Sequence, residues 1–125
     1  MRFALATLPG RLAVCRLAPD AALPPWANGG LVSITRTPRE LSVVCGADCV
    51  PDGVTVESDW RALEVAGPLN FGMTGVLAAL AGPLADRQIP VFVISTYDTD
   101  YLLVRGPALA DATAALAQAG HTIDG

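Results

Sequence analysis

The sequence predicts an α/β (α+β) protein made of two βαββαβ units, the first degenerate, with antiparallel sheets carrying helices on one face. Three observations lead there. Residues 89–105, IPVFVISTYDTDYLLVR, hold two β-branched and aromatic runs, 91–96 and 101–104. Asp98, Thr99 and Asp100 between them are turn formers, so the stretch reads as a hairpin. An earlier hairpin, residues 31–35 and 41–45 around Thr37-Pro38-Arg39, superposes on it without a gap at an offset of 60. Ile34 then falls on Ile94, Thr35 on Ser95, Glu40 on Asp100 and Val44 on Val104. The strands leading into the two halves, 11–17 and 61–67, differ by 50, and a shortened first helix accounts for the missing residues.

Taken in order, residues 2–7 form a strand and Pro9-Gly10 turns the chain. Residues 11–17 (RLAVCRL) are a second strand. Residues 20–27, crowded with prolines, leave room for only a short helix, which Asn28-Gly29-Gly30 ends. After the first hairpin, residues 46–59 read as a loop with its turn at Pro51-Asp52-Gly53. Residues 60–66 are a strand closed by Gly67-Pro68. Residues 73–86 form a helix in which Val76, Leu77, Leu80 and Leu84 recur at helical spacing, and Pro83 should kink or end its last turn. Neither arm of the second hairpin alternates cleanly, so it should sit centrally in its sheet with cover on both faces. Residues 107–119 are a final helix with Pro107 in its first turn and Gly120 as its stop, and residues 121–123 add an edge strand. The division falls into residues 1–59 and 60–125.

Composition narrows the function classes. The chain has 125 residues, 52% of them hydrophobic and 16% charged, which is globular rather than disordered. All eight basic residues are arginine, so Schiff-base chemistry and a P-loop, both of which need a lysine amine, are excluded. A net charge of −4 argues against nucleic acid and against anionic membranes. The apolar run 72–85 is broken at Gly82-Pro83 and too short to span a bilayer. Pro9-Gly10-Arg11 leaves no room for a signal sequence, and three cysteines suit a reducing cytoplasm.

The segments WRALEVAGPLNFGMTGVLAAL and IPVFVISTYDTDYLLV resemble the ACT domain family, in particular small bacterial proteins built of two ACT domains. More distantly they are similar to the tandem-ACT arginine-sensing proteins of animals. LPGRLAVCRL, VSITRT and ELSVVC fit the first, degenerate unit, so the resemblance covers nearly the whole chain. It implies a ferredoxin-like fold, pairing of units, and amino-acid binding where units meet, with sensing rather than catalysis. The implied ligand contacts fall on Asn70, Phe71, Gly72, Met73, Thr74 and Gly75, and on Ser95, Thr96, Tyr97 and Asp100. Thr99 stands where the arginine sensors carry an aromatic residue, which points to amino acids as a class rather than to arginine.

The chemistry of those residues fits a zwitterion independently. Backbone N–H groups at a helix start suit a carboxylate, and Gly72 and Gly75 allow close approach. Asp98 or Asp100 can take an ammonium, while Phe71, Met73 and Tyr97 supply an apolar wall. Other constellations carry less. Cys15, Cys45 and Cys49 with His121 fall short of a zinc site and read as buried structural thiols beside a surface histidine. Ser95 with His121 lacks a nucleophile elbow, and Asp98 with Asp100 lacks the spacing of an acid–base pair. The expectation is a cytoplasmic, homodimeric, non-enzymatic amino-acid sensor with no metal or cofactor, acting on a regulated protein the sequence does not identify. The alternative is a ligand-free assembly module with a vestigial site.

Overall fold

The computed structural model describes residues 1–125. Its strands and helices run β1 (Ala4–Thr7), β2 (Leu12–Leu17), β3 (Ser33–Arg36), β4 (Leu41–Gly46), β5 (Thr55–Val65), α1 (Val76–Asp86), β6 (Phe92–Ser95), β7 (Asp100–Arg105), α2 (Leu109–Gln118) and β8 (Thr122–Asp124). Short 3-10 turns follow β4 (Ala47–Cys49) and β7 (Gly106–Ala108). No helix is long and apolar enough to cross a membrane.

The chain divides into two compact units, residues 9–60 and residues 1–8 with 61–125. Residues 1–8 thus lie with the C-terminal half, not with the N-terminal unit expected to span 1–59. The cause is strand pairing: Leu5 faces Val65 in the antiparallel β1–β5 ladder and Ile123 in the parallel β1–β8 ladder.

In the 9–60 unit the strand order is β3-β4-β2-β5, all antiparallel. Residues 55–59, expected as loop, are strand because they pair with β2. Val14 faces Glu57 while Leu12 faces Trp60, so β5 carries one extra residue there. Such a bulge needs an unusual backbone, and Asp59 supplies it at φ 65, its carboxylate 2.7 Å from Arg11 Nε. The short helix expected over 20–27 does not form. Pro24 and Pro25 remove two donors, and the segment folds as turns (Ala21 N–H to Ala18 O, Ala27 N–H to Pro24 O). Ala21, Trp26 and Ala27 nonetheless pack over Ala13, Cys15, Leu41, Val43 and Cys45, so a loop covers this sheet where a helix was expected.

The other unit orders its strands β6-β7-β5-β1-β8. Setting β1 aside, β5-α1-β6-β7-α2-β8 is the ferredoxin-like βαββαβ sequence of elements. Both helices cover one face: Val76, Leu80 and Leu84 of α1 and Ala112, Ala115 and Leu116 of α2 meet Leu5, Leu63, Val65, Leu102 and Val104. The β6–β7 hairpin is not central as expected. β7 pairs on both edges and buries Leu102, Leu103 and Val104 completely, whereas β6 pairs only with β7 and leaves Phe92 and Val93 half-buried.

Helix α1 begins at Val76 rather than Met73, because Gly75 takes a left-handed φ of 76 as its N-cap. Pro83 neither ends it nor stands at its last residue. Proline has no N–H for the carbonyl four residues back, that of Ala79. His121 Nε2 lies 2.9 Å from that oxygen. The Phe3 amide donates to His121 Nδ1 at 3.0 Å, which leaves the ring proton on Nε2. The ring also stacks on Phe3, with centroids 5.8 Å apart. His121 is therefore buried structure, not the surface residue its place near the end of the sequence suggested.

The internal repeat is written in hydrogen bonds. Thr37 N–H donates to Glu40 O at 2.9 Å, its Oγ1 donates to the same oxygen, and the Glu40 amide donates back to Oγ1. Thr96 and Thr99 make the identical set. Thr37 thus matches Thr96 and Glu40 matches Thr99, so the equivalence is one residue short of the offset read from side-chain character.

Candidate functional site

The segment after β5 and the turn between β6 and β7 are held side by side. The Leu69 amide donates to Asp98 O at 2.6 Å. A Cβ on Gly67 would lie 2.9 Å from Asp98 O and 3.1 Å from Thr99 Cβ, so the approach requires a glycine. Thr99 anchors the turn from inside: its Oγ1 donates to Val65 O at 2.6 Å, and the residue is only 8% exposed. Next along the chain, Asn70 folds its segment into a turn, with Oδ1 accepting from the Gly72 amide at 2.7 Å and its carbonyl from the Met73 amide at 3.0 Å.

Between these two pieces lies a cleft of about 340 Å³. Of the residues named from the sequence, it is lined by Asn70, Phe71, Met73, Gly75, Ser95, Thr96, Tyr97, Asp98 and Asp100. Gly72 and Thr74 do not line it. The Gly72 and Met73 amides, expected as anion donors, are already used within the Asn70 turn. Donors also open α1 one turn later: the amides of Val76, Leu77 and Ala78 have no acceptor four residues back within the helix, and no side chain caps them. Val76 and Leu77 line the cleft directly.

Three further lining residues, Leu69, Val76 and Leu77, fall outside the sequence-predicted set, and Thr99, marked in the sequence by its contrast with the arginine sensors, lines the cleft as well. Leu77 was legible in principle. Val76, Leu80 and Leu84 form the strict four-residue stripe that enters the core, and Leu77 lies off it, 47% exposed. The cleft's mouth is apolar. Phe71 and Tyr97, 75% and 80% exposed, meet edge to face across it with centroids 5.0 Å apart and planes at 80°. The start of α1, Asp98, Asp100 and the Phe71–Tyr97 pair thus border one cleft.

A second cleft of about 390 Å³ backs onto the same turn, lined by Glu64, Pro68, Thr96, Asp98, Thr99 and Tyr101 among others. Tyr101 Oη donates to Glu64 Oε2 at 2.6 Å, and this bond to an anionic acceptor, followed by burial, raises the phenol above its usual range. Elsewhere, burial pushes the Cys45 thiol up to about 11, with Cys15 and Cys49 adding to the effect. Thiols so disposed are poor nucleophiles. No three His, Cys, Asp or Glu side chains come together as a metal site would need.

The model of one family, described as the ACT domain, matches residues 55–118, and a second model, for an N-terminal domain, matches residues 10–53. The crystal structure of the Agobacterium tumefaciens protein Atu0741 is similar over 98% of this chain and 92% of its own, with 42% identity and a TM-score of 0.93. The human cytosolic arginine sensor for mTORC1 subunit 1 is 44% identical over 46 residues, which are 36% of this chain and 14% of the sensor. The regulatory subunit of aspartate kinase from Thermus thermophilus shares the fold at 11% identity, with a TM-score of 0.64 over 93% of this chain and 97% of that one. The chain spans about half, or less, of the length of the curated relatives it matches.

Proposed function

The chain belongs to the ACT domain family, and from that premise we propose that it is a non-enzymatic regulatory protein whose cleft between residues 69–77 and 95–100 binds a free amino acid. The observation that carries this reading is the pairing of opposite chemistries in one cleft. The α1 amides at Val76 and Leu77 suit an α-carboxylate, and Asp98 and Asp100 suit an ammonium or a basic side chain. Phe71, Met73, Leu77 and Tyr97 would take the apolar part of the ligand. The volume lies within the range of small-ligand sites. Similarity to a protein named as a cytosolic arginine sensor supports amino acids as the class and the cytoplasm as the place.

Regulation would run by population shift: a ligand that prefers one arrangement of the 69–77 and 95–100 segments stabilises it, and a regulated protein reads the result. A homodimer would cover the exposed aromatic pair, and light scattering at micromolar concentration tests that. The same aromatics, so exposed, favour a second reading in which this surface serves assembly and holds no ligand. A thermal-shift screen of the standard amino acids separates the two. A ligand at 100 times its Kd stabilises by about 2.7 kcal/mol. A selective response lost in Asp100→Ala supports sensing, while a flat panel supports the assembly reading.

A further inference from the structure

The two turns that share one hydrogen-bond set carry opposite charge. With Thr37 set on Thr96, Arg36 falls on Ser95, Pro38 on Tyr97, Arg39 on Asp98 and Leu41 on Asp100. Arginine thus stands in the first turn at the place that aspartate holds in the second. Two further guanidinium groups flank the first turn, each held by carbonyls rather than by an acid. Arg16 Nη2 donates to Arg39 O at 3.2 Å, and Arg36 donates to Pro19 O and, through Nη2 at 2.8 Å, to Ala21 O. All three arginines are exposed, as are Tyr97 and Asp98, and none of these charged side chains is in an ion pair. Glu40, the acid of the first turn, is half-buried and pairs with none of them.

Arg16 and Arg36 are pinned in place with their charge uncompensated, and Arg39 is left as the group free to reach a partner. Such a surface favours a partner that brings negative charge. A chain of net charge −4 repels its own copies over most of its surface, so a second copy approaches best where three of the eight arginines gather. The same chain supplies the counterpart: a turn closed by the same hydrogen bonds, tipped with an exposed carboxylate and an exposed aromatic ring. We infer that the turn 37–40 is a docking surface for the turn 96–99 of a second copy, where Arg39 pairs with Asp98 and its guanidinium plane stacks on Tyr97. Two copies related by a two-fold axis make this contact twice, the basic turn of each meeting the acidic turn of the other. Asp98 serves rather than Asp100, which is half-buried beside the amino-acid cleft. The inference rests on the homodimer proposed above and not on the cleft's ligand.

Sedimentation equilibrium of the full chain over the micromolar range tests it. The wild type should dimerise, and more weakly as salt is added. Arg39→Asp and Asp98→Arg each set like charges face to face at both contacts, and each should weaken the dimer about tenfold or more. Mixed one to one, the two variants should dimerise again, since every contact then joins opposite charges. The double variant Arg39→Asp/Asp98→Arg should recover by itself. Both positions are exposed, so unchanged melting temperatures separate lost docking from lost folding, and either single variant stands in if the other does not fold. The docking fails if the single variants dimerise as tightly as wild type, in which case the homodimer stands on another surface. It fails if neither the mixture nor the double variant recovers, or if the mass grows past two copies. A wild type that stays monomeric overturns the homodimer and this contact together. If that monomer binds a poly-aspartate peptide through Arg39, the turn serves an acidic partner of another kind.

Discussion

His121 Nε2 lies 2.9 Å from the carbonyl of Ala79, the oxygen that Pro83 leaves without a donor inside α1. A side chain from the far end of the chain thus takes up the bond that proline's ring removes, and the helix runs on to Asp86. His121→Ala should destabilise the protein by about 2–3 kcal/mol, since it empties a buried position and strands both the Ala79 carbonyl and the Phe3 amide. Pro83→Ala returns an N–H to Ala79. In that background the cost of His121→Ala should shrink by about 1 kcal/mol, a coupling that a double-mutant cycle in urea measures. Equal costs in both backgrounds would show that the two residues act independently.

Thr99 makes a sharper case for a single atom. Thr99→Val keeps the shape but leaves the Val65 carbonyl buried without its 2.6 Å donor, and should cost about 1–3 kcal/mol. Thr99→Ser keeps the hydroxyl and should lose much less. Chemical denaturation of the two variants decides it.

Phe71 and Tyr97 predict the opposite balance. With both rings mostly exposed, Phe71→Ala should change stability by no more than about 1 kcal/mol. If the cleft binds an amino acid as proposed, the same variant should markedly reduce the ligand-induced rise in melting temperature. A large loss of intrinsic stability would place the pair in the fold's support instead.

Cys45 predicts a pH dependence. Its thiol stands at about 11 in the folded protein, raised from 9.0 chiefly by burial. The native state therefore keeps the proton that the unfolded chain releases, and the bound proton count falls first in the unfolded state. The stabilisation is complete below pH 9.0 and drains away as pH climbs toward about 11. Tyr101, also raised, acts in the same direction. Comparing wild type with Cys45→Ala isolates the thiol: the variant should lose about 2 kcal/mol less than wild type across that interval, read from urea midpoints.

Much of this was legible because it is local. The hairpin of β6 and β7, α2 between Pro107 and Gly120, and the two halves of the cleft all announce themselves within a dozen residues, through β-branched runs, glycines and paired aspartates. What stayed hidden depends on distant partners. Nothing near His121 hints that it completes a helix 42 residues earlier. Thr99 looks like any turn residue until Val65 is placed beside it. The apolar runs of β6 and β7 are alike in composition, and only the pairing of β7 with β5 makes one interior and the other an edge. The 20–27 segment shows the converse: its prolines were visible and argued for a weak helix, yet its apolar side chains cover the sheet without one.

The four-residue turn from Thr96 to Thr99 is a partition with a cavity on either side, since Thr96, Asp98 and Thr99 line both. Room gained behind such a wall is room lost in front of it. An occupant of the chamber beside Glu64 and Tyr101 would press on the one beneath Phe71 and Tyr97 through three residues, with no relay of side chains needed, so the two chambers should compete even for molecules that never meet.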